Sequence, residues 1–426
     1  MSTIKLIISK EFLRLSVLLT IIYFFLEGYY HFFISDNFAY LGFFPDFSII
    51  NYIITKLVYT WLLFLSWKVY QRSKFLYSIY LLLMFFFYIP NAVIFAFSNM
   101  HIGAFVSNVF FVSFFSLSSV IKFKLPTINL PEKINNYIIL ALSLLAIVPI
   151  IITFRNDVHL KTLLLQDIYE VREVFSEKLI GYLGYLYNIL VKTLLPIALV
   201  YFLIKRKVFF VGIIFLALMY LYLISGNKIV YFTSILLLFF YYLGYSYTSK
   251  MSNFFIMIIG LLIIAPFVDA FLFSQPILQG VFINRFLFIP ALLTQWYFEF
   301  FDGNPYYFAE SHFFNQFVEQ PYDLPIGFLL AKIHWHEPTV YVNNGIVSDG
   351  FMNLGYLGVV LFSVIFTLLF SLFNSFKLHI GYFGLFFSYV YIFLSAPFLS
   401  VFITGGVMIF IIKAILLLTN KNKKLE

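Results

Sequence analysis

The chain has 426 residues, of which 62% are hydrophobic and 11% charged; its formal net charge is +8 and it contains no cysteine. Its apolar residues fall in runs of about 20, the length of a bilayer crossing, which excludes a water-soluble core. The absence of cysteine excludes disulfides, thiolate catalysis and Cys-ligated metals. The expected fold class is an all-α integral membrane protein, because a lone apolar run satisfies its backbone in lipid only as a helix.

In chain order, about twelve spans are predicted: 13–30, 49–67, 76–97, 102–121, 136–154, 179–204, 208–224, 229–247, 252–273, 350–373, 380–396 and 400–419. The first run is longer than a signal-peptide core and lacks a small-residue cleavage site, so it is expected to remain as a helix. If the spans alternate, the clusters Lys5/Lys10/Arg14, Lys68/Arg72/Lys74, Lys122/Lys124/Lys133, Lys205/Arg206/Lys207 and Lys421/Lys423/Lys424 share one side. The positive-inside rule makes that side cytoplasmic, together with both termini. It gathers 18 of the 27 Lys and Arg, while 16 of the 19 carboxylates fall opposite. The positive balance is thus a topology signal, and nucleic acid is not an expected partner. The chain reads as one polytopic domain, 1–426, with two long outward segments, 155–178 and 274–349. Chemistry is expected on that outer face, which also carries six of the seven His.

In the first outward segment, Leu160, Leu164, Ile168, Val171 and Phe175 recur at helical spacing and predict a short amphipathic helix. Tyr169, Arg172 and Ser176 share another of its faces. Arg172, between Glu170 and Glu173, either balances those acids or clamps an anion such as phosphate. Further on, Ser225-Gly226-Asn227 turns between two apolar helices and places Lys228 at a helix start. There the lysine either snorkels to water or adds to an anion-binding field.

The stretch "FINRFLFIPALLTQWYFEFF" is apolar except for Arg285, is interrupted by Pro290 and is closed by Glu299. It is expected to be re-entrant or interfacial, with Arg285 paired to Glu299 or to a lipid phosphate. The rest of that segment mixes aromatics with Asn, Asp and Glu, a composition suited to sugars and equally to a membrane-interface belt. His334 and His336 flank Trp335; without a third spaced ligand they make a poor zinc signal, and a base or hydroxyl-positioning role fits them better. In "VNNGIVSDGFMNLGYLGVVLF", Ser348 or Asp349 can cap the helix, Gly345 and Gly350 allow a bend, and Gly355 and Gly358 allow another helix to approach. No nucleotide loop, nucleophile elbow, dinucleotide fingerprint or cytoplasmic acidic pair is present, so neither cofactor nor metal is expected.

The order of "DIYEVRE", "SGNK", "FINRFLFIPALLTQWYFEFF" and "NNGIVSDGFMNLGYLGVVLF", from about Asp167 to Phe362, resembles the Wzy-type polymerases of O-antigen and capsule repeat units. The resemblance implies a GT-C-like glycosyltransferase of the bacterial cytoplasmic (inner) membrane, active on the outer face. Such an enzyme joins undecaprenyl-pyrophosphate-linked oligosaccharides, with a chain-length regulator as a candidate partner beside the bilayer. It implies Arg172, Lys228 and Arg285 as cations for the pyrophosphate, where departing negative charge needs stabilisation. Asp349 and His336 are the first candidates for the base, Arg285 joining them as a catalytic group. His334, His312 and Glu310 stand behind them, and Tyr169 and Asn344 are further substrate contacts. The alternatives are an O-antigen ligase and a lipid-linked oligosaccharide flippase; the latter should show internal repeats and polar groups at mid-membrane.

Overall fold

The computed structural model describes residues 9–98, 100–124, 131–164, 167–273, 275–311 and 314–418. Lys5, His312, Lys421, Lys423 and Lys424 lie outside these residues, as does the side chain of Tyr169. Among the described residues the regular elements are helices, joined by one isolated bridge between Asp46 and Ser98. Eleven helices among the described residues are long and apolar enough to cross a membrane, so the chain is an all-α, multi-pass membrane protein. Ten of them coincide with predicted spans. The predicted spans 229–247 and 380–396 are the shorter apolar helices Val230–Tyr242 and Ile380–Ser395.

The eleventh helix, Gln279–Phe301, corrects the interfacial expectation: it has 23 residues and qualifies as a crossing by length and hydropathy. Pro290 does not break it, because the turns before the proline are widened to π geometry over Gln279–Phe288. Met84–Tyr88 before Pro90 and Leu190–Leu194 before Pro196 repeat the device. A proline cannot donate to the carbonyl four residues back and its ring crowds that turn; a π turn relieves the clash and keeps the helix continuous.

The chain divides into two compact units. The first comprises Met1–Lys122, Ser246–Leu372 and Val390–Phe398. Here helix Lys74–Phe97 is apolar all round and its central window is wholly buried, as expected of a helix with no polar face. Helix Ile49–Arg72 packs along both its halves, and Lys10–Tyr29 packs along Tyr247–Leu272. Pro266 leaves the Leu262 carbonyl without its helical donor, and the Tyr29 hydroxyl donates to it instead. Beside this bond Phe24, Phe32, Phe33 and Phe267 line an apolar groove of about 750 Å³. Within the helices Lys10–Asn37 and Ile49–Arg72, the ammonium of Lys56 pairs with buried Glu27 and sits 3.5 Å from the Tyr23 ring centroid. Both charges lie within helices long and apolar enough to span a membrane.

The second unit comprises Phe123–Tyr245, Phe373–Tyr389 and Leu399–Glu426. Helix Val208–Ser225 packs on Leu195–Ile204 and on Lys228–Tyr242. Lys192 lies near the middle of helix Tyr182–Ile204, again within a span rather than on a surface. Next to it the Thr193 hydroxyl donates to the Gly405 carbonyl at 3.1 Å.

Candidate functional site

In the second unit the amphipathic prediction holds for Ile168–Lys178, where Ile168, Val171 and Phe175 are buried. It fails upstream. Leu160 is exposed and belongs to a separate 3₁₀ turn, Leu160–Leu164, and Asp167 has a left-handed backbone (φ 54°) just before the helix. The helix packs on Val208–Ser225, and the segment before it is tied to the same neighbour: the Tyr222 hydroxyl donates to the Thr162 carbonyl and the His159 N–H to the Leu223 carbonyl. Arg172 is partly buried, and its Nε donates to the Gly226 carbonyl at 3.0 Å. Gly226 itself has φ 57°, and a Cβ there would meet the Ile168 carbonyl oxygen at 2.9 Å. Lys228, two residues on, opens helix Lys228–Tyr242. The structure therefore brings Arg172 to the turn that carries Lys228.

In the first unit Arg285 is exposed on the π-widened part of its helix. Glu299 does not pair with it: its carboxylate accepts from the Gln295 side chain at 2.6 Å, and no ion pair joins it to Arg285 among the described residues. His334 is half-buried and stacks on Trp296, with centroids 4.1 Å apart and planes 5° apart. His336 is exposed, with a left-handed backbone (φ 58°) at the end of helix Ile326–Trp335. The two histidines thus face different surroundings, one a stacked ring and one open to solvent.

Asp349 is buried, and both carboxylate oxygens are engaged. One accepts from the Asn353 amide at 2.9 Å, the other from the Phe398 N–H at 2.8 Å, at the start of helix Phe398–Phe402. This gives Asp349 a structural task, satisfying an otherwise orphaned helix N–H. Asn344 is likewise turned inward: its Oδ1 accepts from Ser348 and its amide faces the Met352 sulfur. Ser348 accepts from the Gly345 N–H, in keeping with a capping role. The glycines act differently from expectation. Helical geometry breaks at Leu354 and Gly355 (φ 60°), and across that kink Gly350 and Gly358 meet each other; a Cβ on Gly358 would lie 1.9 Å from the Gly350 carbonyl oxygen. Gly345 approaches the Leu394 carbonyl.

Glu310 is accessible to solvent, and one of its oxygens accepts from the Ile326 N–H at the start of helix Ile326–Trp335. Partial burial raises its pKa, against the lowering effect of that bond. It lies within electrostatic reach of Asp349, Tyr297, Tyr306 and Tyr341. The loop before it is fixed by the Tyr306 N–H on the Met352 carbonyl (2.8 Å) and the Phe308 N–H on the Asn353 side chain (2.7 Å).

The sequence reading passed over three features: the Glu27–Lys56 pair, Lys192 and the tyrosines around Glu310. The first two had a usable signal, since an ionisable residue inside a predicted span is itself a flag. The tyrosines had none, because they are separated in sequence and gathered only by the fold. Compared with family models, curated proteins and solved structures, the chain matches none of them.

Proposed function

We propose that this protein is a glycosyltransferase of the GT-C kind that polymerises undecaprenyl-pyrophosphate-linked oligosaccharide repeat units at the outer face of a bacterial cytoplasmic membrane. The observation that supports this reading is the bond from Arg172 to Gly226: two of the pieces that carry the resemblance, "DIYEVRE" and "SGNK", form one docked element. An arginine held by its Nε on a turn keeps its terminal nitrogens in a fixed orientation, the preorganisation that a leaving diphosphate needs.

In the reaction the bond between the sugar anomeric carbon and the diphosphate oxygen breaks, and the acceptor hydroxyl oxygen bonds to that carbon. The hydroxyl proton passes to a base, and the negative charge stays on the departing diphosphate. Arg172 and Lys228 stabilise that charge. Among the candidate bases, the Asp349 carboxylate has both oxygens occupied. Arg285, exposed on a membrane helix, suits a lipid phosphate, and the phenylalanine-lined groove of the first unit suits an isoprenoid or acyl chain. The test is Arg172→Ala in proteoliposomes supplied with a lipid-pyrophosphate oligosaccharide: glycan extension should be lost while the protein still folds. Unchanged extension would remove Arg172 from the reaction.

A second reading, transport of the lipid-linked oligosaccharide, is favoured by the Glu27–Lys56 pair and by Lys192, charges inside spans of the kind translocators use. Substrate reaching the far leaflet without any chain extension would decide for it.

A further inference from the structure

The groove between helices Lys10–Asn37 and Tyr247–Leu272 has the length of one lipid chain and a polar end. Its long wall recurs at helical spacing, from Ile21 through Phe24, Gly28 and Phe32 to Phe33. That stretch covers about 18 Å at the helical rise. The hydrocarbon of one leaflet is about 15 Å thick, so the groove matches a chain lying in one leaflet rather than one crossing the bilayer. Phe24, Phe32, Ile263 and Phe267 along it are exposed, and most of helix Tyr247–Leu272 is unburied, so in a membrane the groove faces lipid. Its depth at the centre comes from Gly28, where a Cβ would meet nothing within 4 Å.

Gln279 supplies the polar end. It lines the groove and is only 7% exposed, and among the described residues its side-chain amide makes no hydrogen bond; its backbone N–H is taken by Asp269 at 2.9 Å. A Cβ on the next residue, Gly280, would lie 3.5 Å from the Phe38 ring, and that ring packs on Phe33 with centroids 5.7 Å apart. The amide therefore sits at the Phe33 end. A buried amide without a partner is costly, and an oxygen of a bound molecule would satisfy it.

The charges bordering the groove bear on which lipid enters. Among the described residues no cation lines it. Lys56, 4.9 Å from the Phe24 ring centroid, is paired with Glu27, and at the polar end the Asp269 carboxylate lies against the Gln279 backbone. A lipid diphosphate would meet that carboxylate with no free cation to offset it, whereas an uncharged ester carbonyl needs only the amide as donor.

We infer that this groove holds one acyl chain of a bilayer glycerophospholipid, with the Gln279 side-chain amide donating to the ester carbonyl of that chain. A lipid diphosphate is excluded from it. The inference needs only the membrane-embedded fold and is independent of the enzymatic reading.

The test is photo-crosslinking of the full-length protein in detergent micelles by a trace of phosphatidylcholine that carries a diazirine midway along one ester-linked chain. Peptide mapping should place the label on groove residues such as Phe24, Phe32 and Phe267 severalfold more than on Leu57 and Phe64, which are exposed on helix Ile49–Arg72. Three unlabelled competitors are then compared: ester phosphatidylcholine, its diether analogue and a polyprenyl diphosphate. The diether should compete about three- to tenfold more weakly than the ester, the worth of one hydrogen bond, and the diphosphate more weakly still. Gln279→Leu keeps the backbone bond to Asp269 and should make ester and diether equal. Gly28→Phe fills open space and should remove groove labelling while that of Leu57 and Phe64 persists. Groove labelling no stronger than at Leu57 and Phe64, stronger competition by the diphosphate, or an ester preference that survives Gln279→Leu would overturn the inference. Unchanged groove labelling in Gly28→Phe would count equally against it.

Discussion

Arg172 donates from Nε to the carbonyl of Gly226 at 3.0 Å, so a residue on one connecting segment is held by the turn of another. The contact depends on a glycine in two ways: a left-handed backbone at φ 57°, and space that a Cβ would take from the Ile168 carbonyl. Sequence order shows neither.

Gly226→Ala should therefore undock helix Ile168–Lys178. A non-glycine left-handed residue costs about 1–2 kcal/mol, before the close contact is counted. Limited proteolysis of the membrane-inserted protein should find 160–178 cut faster than in the wild type. Equal cutting rates would mean that the turn does not hold the helix.

The capping role of Asp349 predicts a difference between two substitutions. Asp349→Ala leaves the Phe398 N–H without its acceptor, at about 1–3 kcal/mol, and leaves the Asn353 amide only the Asp349 carbonyl, so folded yield should fall. Asp349→Asn keeps an oxygen for one of these two donors and turns an NH2 toward the other, so it should retain more folded yield than Asp349→Ala, with product in proportion to that yield. Normal folding with complete loss of product in Asp349→Asn would instead make the carboxylate part of the chemistry.

Gly358→Ala is expected to be more disruptive than Gly355→Ala in yield and thermal midpoint. A Cβ at 358 collides with the Gly350 backbone, whereas position 355 has open space and only an unfavourable backbone conformation. The reverse order would show that the kink, not the contact, holds this segment.

For Glu310 the sign of the pH effect follows from its raised pKa. The folded state binds the proton more tightly than the unfolded chain, so this group's contribution is most favourable below the ordinary carboxylate pKa. It is lost as pH rises through the raised value. As pH rises above the ordinary carboxylate pKa of about 4, the thermal midpoint of the wild type should fall relative to that of Glu310→Gln. Parallel profiles would show that Glu310 titrates alike in both states.

The fold was largely legible because long apolar runs admit one solution in lipid, and the amphipathic pattern of Ile168, Val171 and Phe175 marked a real buried face. Helix Gln279–Phe301 was misread because Pro290 is a breaker only in α geometry; the π turns before it depend on packing that the sequence does not display. Gly350 and Gly358, eight residues apart, meet across the kink at Leu354 and Gly355, a contact that helical spacing alone does not predict. Glu27 and Lys56 each lie inside a predicted span, 13–30 and 49–67, but only the fold brings them together.

The central claim is glycan extension on a lipid-pyrophosphate carrier without nucleotide or metal. Purified protein in liposomes, given one defined undecaprenyl-pyrophosphate oligosaccharide in the presence of EDTA, should yield a ladder of glycans at multiples of the repeat unit, and Arg172→Ala should abolish it. Unextended oligosaccharide with every plausible native repeat unit, from wild-type protein shown to be folded, would contradict the account.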